Sequence, residues 1–119
     1  MKENSIEKIV EQSLLYDFYG EMLNDHQRRV YEAAVFEDYS LSEIAAEAGI
    51  SRQGVHDMLK RCNKALEEYE EKLHLVEKFQ KAKSKVEQIH RLAREFEDSK
   101  DGSIVKKIEE ISNDMIEEF

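Results

Sequence analysis

The stretch LSEIAAEAGISRQGVHDMLKR constrains the fold most, because it joins two short apolar helical patterns through a glycine. A tight helix-turn-helix needs a small residue where the helix axes approach, a turn residue that tolerates positive φ, and an aliphatic residue on the second helix. Ala45, Gly49 and Val55 occupy these three roles. Other apolar residues of the stretch complete the small core: Ile44, Ala48, Ile50, Met58 and Leu59. The spacing therefore predicts a helix-turn-helix.

Helix is also expected over the rest of the chain, which has no proline and only four glycines. Apolar spacing predicts helices over residues 5–18, 24–36, 42–48, 51 onwards and 103–118. Asn24 with Gln27 has the spacing of a capping box, and Ser51 is the predicted N-cap of the long fourth helix. The first helix has an apolar face wide enough to pack on two neighbours: Ile6, Ile9, Val10, Leu14, Leu15, Tyr16, Phe18 and Tyr19. The predicted class is all-α.

An unbroken apolar repeat in steps of four and three runs along the fourth helix: Val55, Leu59, Cys62, Leu66, Tyr69, Leu73 and Val76. Such steps are typical of coiled coils. A second series in another phase follows from Phe79, so we expect the helix to end or bend near residues 70–73. The sequence therefore predicts a helix-turn-helix head over residues 1–69 and a helical tail, a packing or dimerisation arm, over residues 70–119.

The predicted tail needs a surface to cover it, since amphipathic helices of this length are not stable alone in water. It could fold back on the head or pair with a second subunit. The repeat favours a two-fold homodimer that uses four residues: Leu66, Tyr69, Leu73 and Val76. Such a dimer would also space two reading helices for successive major grooves of DNA.

The fourth helix is the predicted recognition helix of the helix-turn-helix. Its candidate DNA contacts are Ser51, Arg52, Gln53, His56, Lys60, Arg61 and Lys64. Arginine pairs with guanine and glutamine with adenine, while a helix N-terminus holds phosphate. Arg28 and Arg29 on the second helix are expected to add contacts to the DNA backbone. From Ser51 to Lys64 there are four basic residues and one acidic residue, Asp57.

The overall charge argues against strong binding to duplex DNA. The chain has 18 Lys and Arg against 27 Asp and Glu, a formal net charge of -9. Nonspecific affinity for DNA depends on counterion release by several cations, and Asp57 would repel a nearby phosphate. Two hypotheses therefore stay open. One is a regulator that binds duplex DNA, and the other is an adaptor whose acidic body suits a basic protein, or which binds RNA.

The motifs of other functional classes do not occur. None of the four histidines has a second histidine four residues away, and Cys62 is the only cysteine, so we expect no metal site. No nucleotide-binding glycine motif is present, and we expect neither a cofactor nor an enzymatic activity. The longest apolar run is four residues, and the N-terminus lacks the apolar core of a signal peptide. We therefore expect a cytoplasmic protein without membrane insertion.

The stretch from Leu14 to Phe79 resembles the YlxM family, most distinctively in LLYDFYG and ISRQGVHDMLKR. The family consists of small bacterial proteins associated with the signal recognition particle pathway. The head is also similar to the promoter-reading region 4 of sigma-70 factors. These resemblances imply a DNA-binding regulatory or accessory protein of that pathway, with Arg52, Gln53, His56 and Lys60 at DNA-facing positions. The alternative is an adaptor of the particle's protein or RNA that keeps the helix-turn-helix only as a scaffold.

Where sigma factors often place arginines, this sequence has His56 and Asp57. After Lys81 the resemblance to the YlxM family is limited to a helical and acidic character.

Overall fold

A computed structural model describes the backbone of residues 2–118 and the side chains of residues 6–118. The regular structure of this part is helical, which confirms the predicted all-α class. Its elements are α1 (Lys2–Tyr19), a 3₁₀ turn (Gly20–Met22), α2 (Asp25–Val35), α3 (Leu41–Ala48), α4 (Arg52–Leu73), α5 (Leu75–Ser99) and α6 (Ser103–Glu118). The chain divides into two compact units, Met1–His74 and Leu75–Phe119. We call them the head and the hairpin, and their boundary follows His74 rather than Tyr69.

The N-termini of α2 and α3 are each capped by a side chain. The Asn24 side chain accepts a hydrogen bond from the backbone N–H of Gln27 at 2.8 Å, and Gln27 Oε1 accepts one from the backbone N–H of Asn24 at 3.1 Å. This reciprocal pair confirms the predicted capping box. The start of α3 was predicted at Ser42, but the helix begins at Leu41. Ser40 and Glu43 form a second capping box, which satisfies the first backbone donors and starts the helix one residue earlier than expected.

The turn between α3 and α4 is built on a left-handed glycine. Gly49 has φ 72°, and its N–H donates to the carbonyl of Ala45 at 3.0 Å. Ser51 then caps α4, because its Oγ accepts a hydrogen bond from the backbone N–H of Gly54 at 2.9 Å. Both the positive φ at Gly49 and the N-cap at Ser51 were predicted, and both are confirmed.

The core beneath this turn joins α2, α3 and α4. Its buried members are Val30, Ala33, Ile44, Ala45 and Val55, and partly buried residues pack around them: Ala34, Leu41, Ala48, Ile50, Met58 and Leu59. Every core residue predicted from the helix-turn-helix spacing is in this cluster. The small side chain of Ala45 and the fully buried Val55 lie where α3 crosses α4. The helix-turn-helix prediction is therefore confirmed.

Aromatic packing fixes α1 against α2 and α4. The rings of Tyr16 and Tyr31 stack with centroids 5.3 Å apart, and those of Tyr19 and Tyr69 with centroids 5.9 Å apart. Tyr19 and Tyr31 are both buried, and Tyr19 belongs to the apolar face predicted for the first helix. Packing does not extend along the whole of α1, however. Its first turns expose an apolar face that the sequence analysis expected to be covered: Ile6, Ile9 and Val10.

The predicted dimer contact needs correction at two of its four positions. Leu66 has 0% of its surface exposed and Val76 has 6%, so both are already buried within one chain. Neither can offer its side chain to a second subunit, and their assignment to a dimer interface is wrong. Tyr69 is half-buried against Tyr19, whereas Leu73 is 49% exposed. Dimerisation itself stays a prediction.

The hairpin consists of α5 and α6, which run antiparallel. As expected, α4 ends within the predicted segment, at Leu73, and His74 adopts left-handed geometry with φ 56°. Lys100 is also left-handed, with φ 59°, and starts the short connection to α6. There the Asp101 carboxylate accepts a hydrogen bond from the backbone N–H of Ser103, which lowers the pKa of Asp101. In the sequence, Phe119 continues the apolar spacing of α6 (Ile104, Ile108, Ile111 and Met115), but it lies outside the described residues.

We predict that Gly49→Ala lowers the free energy of unfolding of the head by about 1–2 kcal/mol, because a Cβ is strained at positive φ. No atom lies within 4 Å of the Cβ position, so the loss measures backbone strain and not a clash. Gly49→Asn is the matched control, since asparagine tolerates this conformation better. Urea unfolding followed by circular dichroism measures both. Equal stability of the alanine variant and the parent would contradict the left-handed turn.

Candidate nucleic-acid interface

The predicted contact residues of α4 lie together on its outward side. Val55 and Cys62 anchor the opposite side of the helix in the core. The exposed residues are Ser51, Arg52, Gln53, His56, Lys60, Arg61 and Lys64. Among the described residues, none of the four cations in this set forms an ion pair. The side of α4 that a recognition helix would present therefore carries unneutralised positive charge.

The start of α4 keeps a hydrogen-bond donor for an anion. Ser51 Oγ accepts from the backbone N–H of Gly54, which leaves the hydroxyl proton able to donate. A Cβ on Gly54 would lie 3.1 Å from this Oγ, closer than ordinary contacts. Glycine at position 54 therefore avoids a close contact with the Oγ of the capping Ser51. The exposed Ser51 lies where the free backbone N–H groups of the first turn point outward.

Asp57 is turned toward a neighbouring side chain of the same surface. Its Oδ1 accepts a hydrogen bond from Gln53 Nε2 at 3.0 Å and lies 3.8 Å from His56 Nδ1. The carboxylate therefore occupies one of the two Nε2 hydrogens of Gln53. The other hydrogen and the Oε1 acceptor remain available, which is the pair of groups that glutamine uses on adenine. The acidic residue in this surface thus also orients a candidate reading residue.

Lys8 joins the positive surface from another helix, and the sequence analysis did not identify it. A groove between α1 and α4 is lined by Lys8, Lys60 and Lys64, together with Glu11 and Glu67. Lys8 lies more than fifty positions before Lys60 and Lys64 in the sequence. Only the packing of α1 on α4 brings it to this surface.

The two arginines of α2 do not extend this surface. Arg28 is half-buried beside Tyr16, and interaction with the Tyr16 hydroxyl raises the pKa of its guanidinium. Arg29 is exposed, but it lines a groove together with three acidic residues, Glu32, Glu37 and Glu47. These acids offset its charge. The expected backbone contacts of Arg28 and Arg29 therefore have little geometric support.

A polar contact inside the head holds α4 in place. Tyr31 Oη donates a hydrogen bond to Asn63 Oδ1 at 3.0 Å, and Gln12 Nε2 reaches the same oxygen at 3.4 Å. Burial raises the pKa of Tyr31 to about 12, so the phenol stays protonated and remains a donor. Asn63 thus connects α1, α2 and α4. The sequence analysis did not identify this role, because it depends on residues from three separate segments.

Cys62 lies in the core, as its place in the apolar repeat predicted. It is fully buried, and burial raises the pKa of its thiol. Within residues 6–118, no three His, Cys, Asp or Glu side chains come together as metal ligands would. No helix in the described part of the chain is long and apolar enough to cross a membrane.

Comparison with known proteins gives this helix-turn-helix protein its family. Residues 6–113 match the UPF0122 family, described as "Putative helix-turn-helix protein, YlxM / p13 like". The chain belongs to the UPF0122 family. The UPF0122 match confirms the resemblance to the YlxM family and extends it from Phe79 to residue 113, which lies in α6. The family match therefore covers the head and most of the hairpin.

Individual UPF0122 proteins align over most of the chain. One from Thermoanaerobacter sp. (strain X514) is 46% identical over 108 residues, which cover 88% of this chain and 91% of the relative. One from Geobacillus sp. (strain WCH70) is 41% identical over 108 residues, covering 89% and 98%. The protein YofM of Lactococcus lactis subsp. lactis (strain IL1403) is 40% identical over 114 residues, covering 96% and 98%.

We predict that Cys62 in the native protein reacts with an aromatic disulfide reagent at least a hundredfold more slowly than in denaturant. The thiol is buried and its pKa is raised, and only the exposed thiolate reacts. Release of the coloured thiol, followed by absorbance at constant pH, measures both rates. Fast reaction of the native protein would show that the side of α4 bearing Cys62 opens to solvent.

Proposed function

We propose that this UPF0122 protein is a DNA-binding regulator that reads duplex DNA with the N-terminal half of α4. The observation that supports this proposal is the set of exposed, unneutralised cations on the second helix of a helix-turn-helix: Arg52, Lys60, Arg61 and Lys64. Gln53 and His56 lie between them at positions that can reach base edges. Ser51, at the helix start, supplies a donor for a backbone phosphate.

The negative charge around α4 restricts the direction from which DNA can approach the head. Residues 1–74 contain 9 Lys and Arg and 16 Asp and Glu, so the head has a net charge of -7. Most of the head surface therefore repels DNA, and the outward side of α4 is the part that attracts it. With about four phosphate contacts, the logarithm of the binding constant should fall with the logarithm of salt concentration at a slope of about -3.6. Binding should be modest in affinity and sensitive to salt.

The test is an electrophoretic shift at about 100 mM salt, with duplex DNA from the gene neighbourhood of the protein. We expect the parent to shift this DNA in the presence of nonspecific competitor. The double variant Arg52→Ala/Lys60→Ala should bind at least tenfold more weakly, because it loses a base contact and a phosphate contact. Lys106→Ala/Lys107→Ala is the matched control and should bind like the parent, since it removes two exposed lysines of α6 instead. Equal losses in both double variants would contradict the proposed interface.

We predict that Asp57→Asn raises the affinity for duplex DNA by about threefold, because it removes a negative charge from the reading surface. Asparagine keeps the Oδ1 acceptor that holds Gln53. Asp114→Asn makes the same change in charge at an exposed residue of α6, which is not part of the proposed reading surface, and should leave the affinity unchanged. Fluorescence anisotropy titrations at fixed salt measure the three dissociation constants. Weaker binding by Asp57→Asn would mean that Asp57 itself contacts a base, as an acceptor from cytosine does.

A second candidate function is that of an adaptor in the signal recognition particle pathway, which the YlxM family suggests. The observation that favours it is the uncovered apolar face at the start of α1: Ile6 is 62%, Ile9 50% and Val10 54% exposed. Glu7 and Glu11 are exposed on the same turns of the helix. An apolar face beside acidic residues suits a basic protein partner.

The two functions make different demands on the same protein. Failure to shift any duplex at tens of micromolar protein would contradict the DNA-binding proposal. The particle's protein and RNA, each purified, would then be titrated in turn. Under the adaptor function, Ile6→Glu/Val10→Glu should abolish binding to the particle protein while Arg52→Ala/Lys60→Ala retains it.

A further inference from the structure

The hairpin has too little core of its own to account for its two helices. Of its described residues, only Val76 and Ile104 are buried. The side chains at the contact of α5 with α6 remain half-buried: Ala82, Lys85, Ile89, Leu92, Phe96, Ile108, Ile111 and Met115. Two helices that share one seam leave their remaining apolar surface in water, and a stable bundle covers that surface with further helices.

The large apolar residues of the hairpin that are at least half exposed, among those the structure describes, lie on one side of it. Val86 is 53%, Val105 50% and Ile116 71% exposed. Each directly follows a residue of the hairpin seam: Lys85, Ile104 and Met115. One step along an α-helix turns the side chain by about 100° in the same sense. Because α5 and α6 run antiparallel, the same turn from the seam brings all three residues to the same side, which we call the open face.

Opposite charges flank this open face. On α5 the exposed residues near Val86 at helical spacing include Lys83, His90 and Arg94, and Glu97 follows on the same side. On α6 the residue in line between Val105 and Ile116 is Glu109, also exposed. In the described part of the chain, neither Arg94 nor Glu109 forms an ion pair. Arg94 on the α5 edge and Glu109 on the α6 edge therefore carry opposite charges, and the two can pair across a copy of the face in which the edges are exchanged.

The geometry points to a second copy of this chain as the occupant of the open face. Two hairpins related by a two-fold axis parallel to their helices place each α5 over α6 of the partner. All neighbouring helices are then antiparallel, which is the arrangement of a four-helix bundle. A two-fold axis across the helices would place α5 over α5 and bring like charges together. The opposite charges of Arg94 and Glu109 favour the first arrangement.

The register of the hairpin assigns a specific ion pair to this dimer. Lys85 pairs with Glu118, which fixes the level of α5 against α6. Arg94 follows Lys85 by nine residues and Glu109 precedes Glu118 by nine, so equal helical rise puts both at one level. A two-fold axis parallel to the helices preserves this level. Arg94 therefore meets Glu109 of the partner subunit, and the pair occurs twice in the dimer.

The open face is large enough for a specific but moderate dimer. The 16 residues of α6 span about 24 Å, and two helices side by side are about 20 Å wide. Covering this area on both subunits removes roughly 1,000 Å² from water, the lower end of the range for biological interfaces. A dissociation constant in the micromolar range is therefore expected.

The first test uses light scattering on the full chain at about 100 µM, followed by dilution. The parent should have twice the 14.0 kDa mass of one chain. Ile116→Glu should be monomeric, with unchanged circular dichroism, because the side chain is exposed within one chain. Ile6→Glu is the matched control, because it makes the same substitution at an exposed isoleucine of the head, and it should stay dimeric. A monomeric parent, or an Ile116→Glu variant that stays dimeric, would overturn the proposal.

Leu73→Glu separates this interface from the contact predicted along α4, of which Leu73 is the most exposed member. The variant should remain dimeric if the hairpins pair. Monomers of Leu73→Glu beside dimers of Ile116→Glu would assign the interface to α4 instead.

Charge reversal tests the register. Arg94→Glu and Glu109→Arg should each weaken dimerisation at least tenfold, since two repulsive pairs replace two attractive ones. An equimolar mixture of the two variants should recover the parent affinity, because every contact in the mixed dimer again joins opposite charges. Ser84→Glu, a new charge elsewhere on α5, is the control and should dimerise like the parent. Single reversals without effect, or a mixture that stays monomeric, would contradict the pairing of α5 with α6.

Discussion

The head depends on the close crossing of α3 over α4. Ala45 is small enough for the two helices to approach, and Val55 fills the contact with no exposed surface. Gly49, at φ 72°, lets the chain turn within two residues into the Ser51 cap. Because Val55 must point into this crossing, the rotation of α4 about its axis is set. Lys60 and its neighbours then point outward as a consequence of core packing.

The chain can be acidic overall and still have a basic recognition helix, because its acids and the cations of α4 lie on different surfaces. The cations of α4 remain unpaired on its outward side, while acids elsewhere restrict the approach of a polyanion to that side. Asp57 is the exception within the surface, and its hydrogen bond to Gln53 gives it a structural use. The same distribution would suit a basic protein partner at α1, where Glu7 and Glu11 accompany exposed isoleucines. Net charge alone therefore does not choose between the two functions.

Local features of the head could be predicted because neighbouring residues determine them. The Asn24 capping box, the left-handed Gly49 and the Ser51 cap each depend on side chains within four positions. The start of α3 was misplaced because Ser40 and Ser42 both suit an N-cap, and only Ser40 has Glu43 at the reciprocal position. Lys8 and Asn63 escaped detection for the opposite reason. Their roles depend on the packing of α1 against α4, which no local pattern encodes.

An apolar repeat identifies the side of a helix that must be covered, but not what covers it. Leu66 continues the steps of a coiled coil, and an identical repeat would serve a second subunit or the chain's own α1. Cover by the chain's own α1 is favoured here, because the large buried side chains of Tyr19 and Tyr31 pack against α4 within the head. Leu66 is thereby buried inside one chain, whereas Leu73 of the same repeat stays exposed. Apolar surface without such cover persists on the hairpin at Val86, Val105 and Ile116, and the proposed second subunit would bury it there.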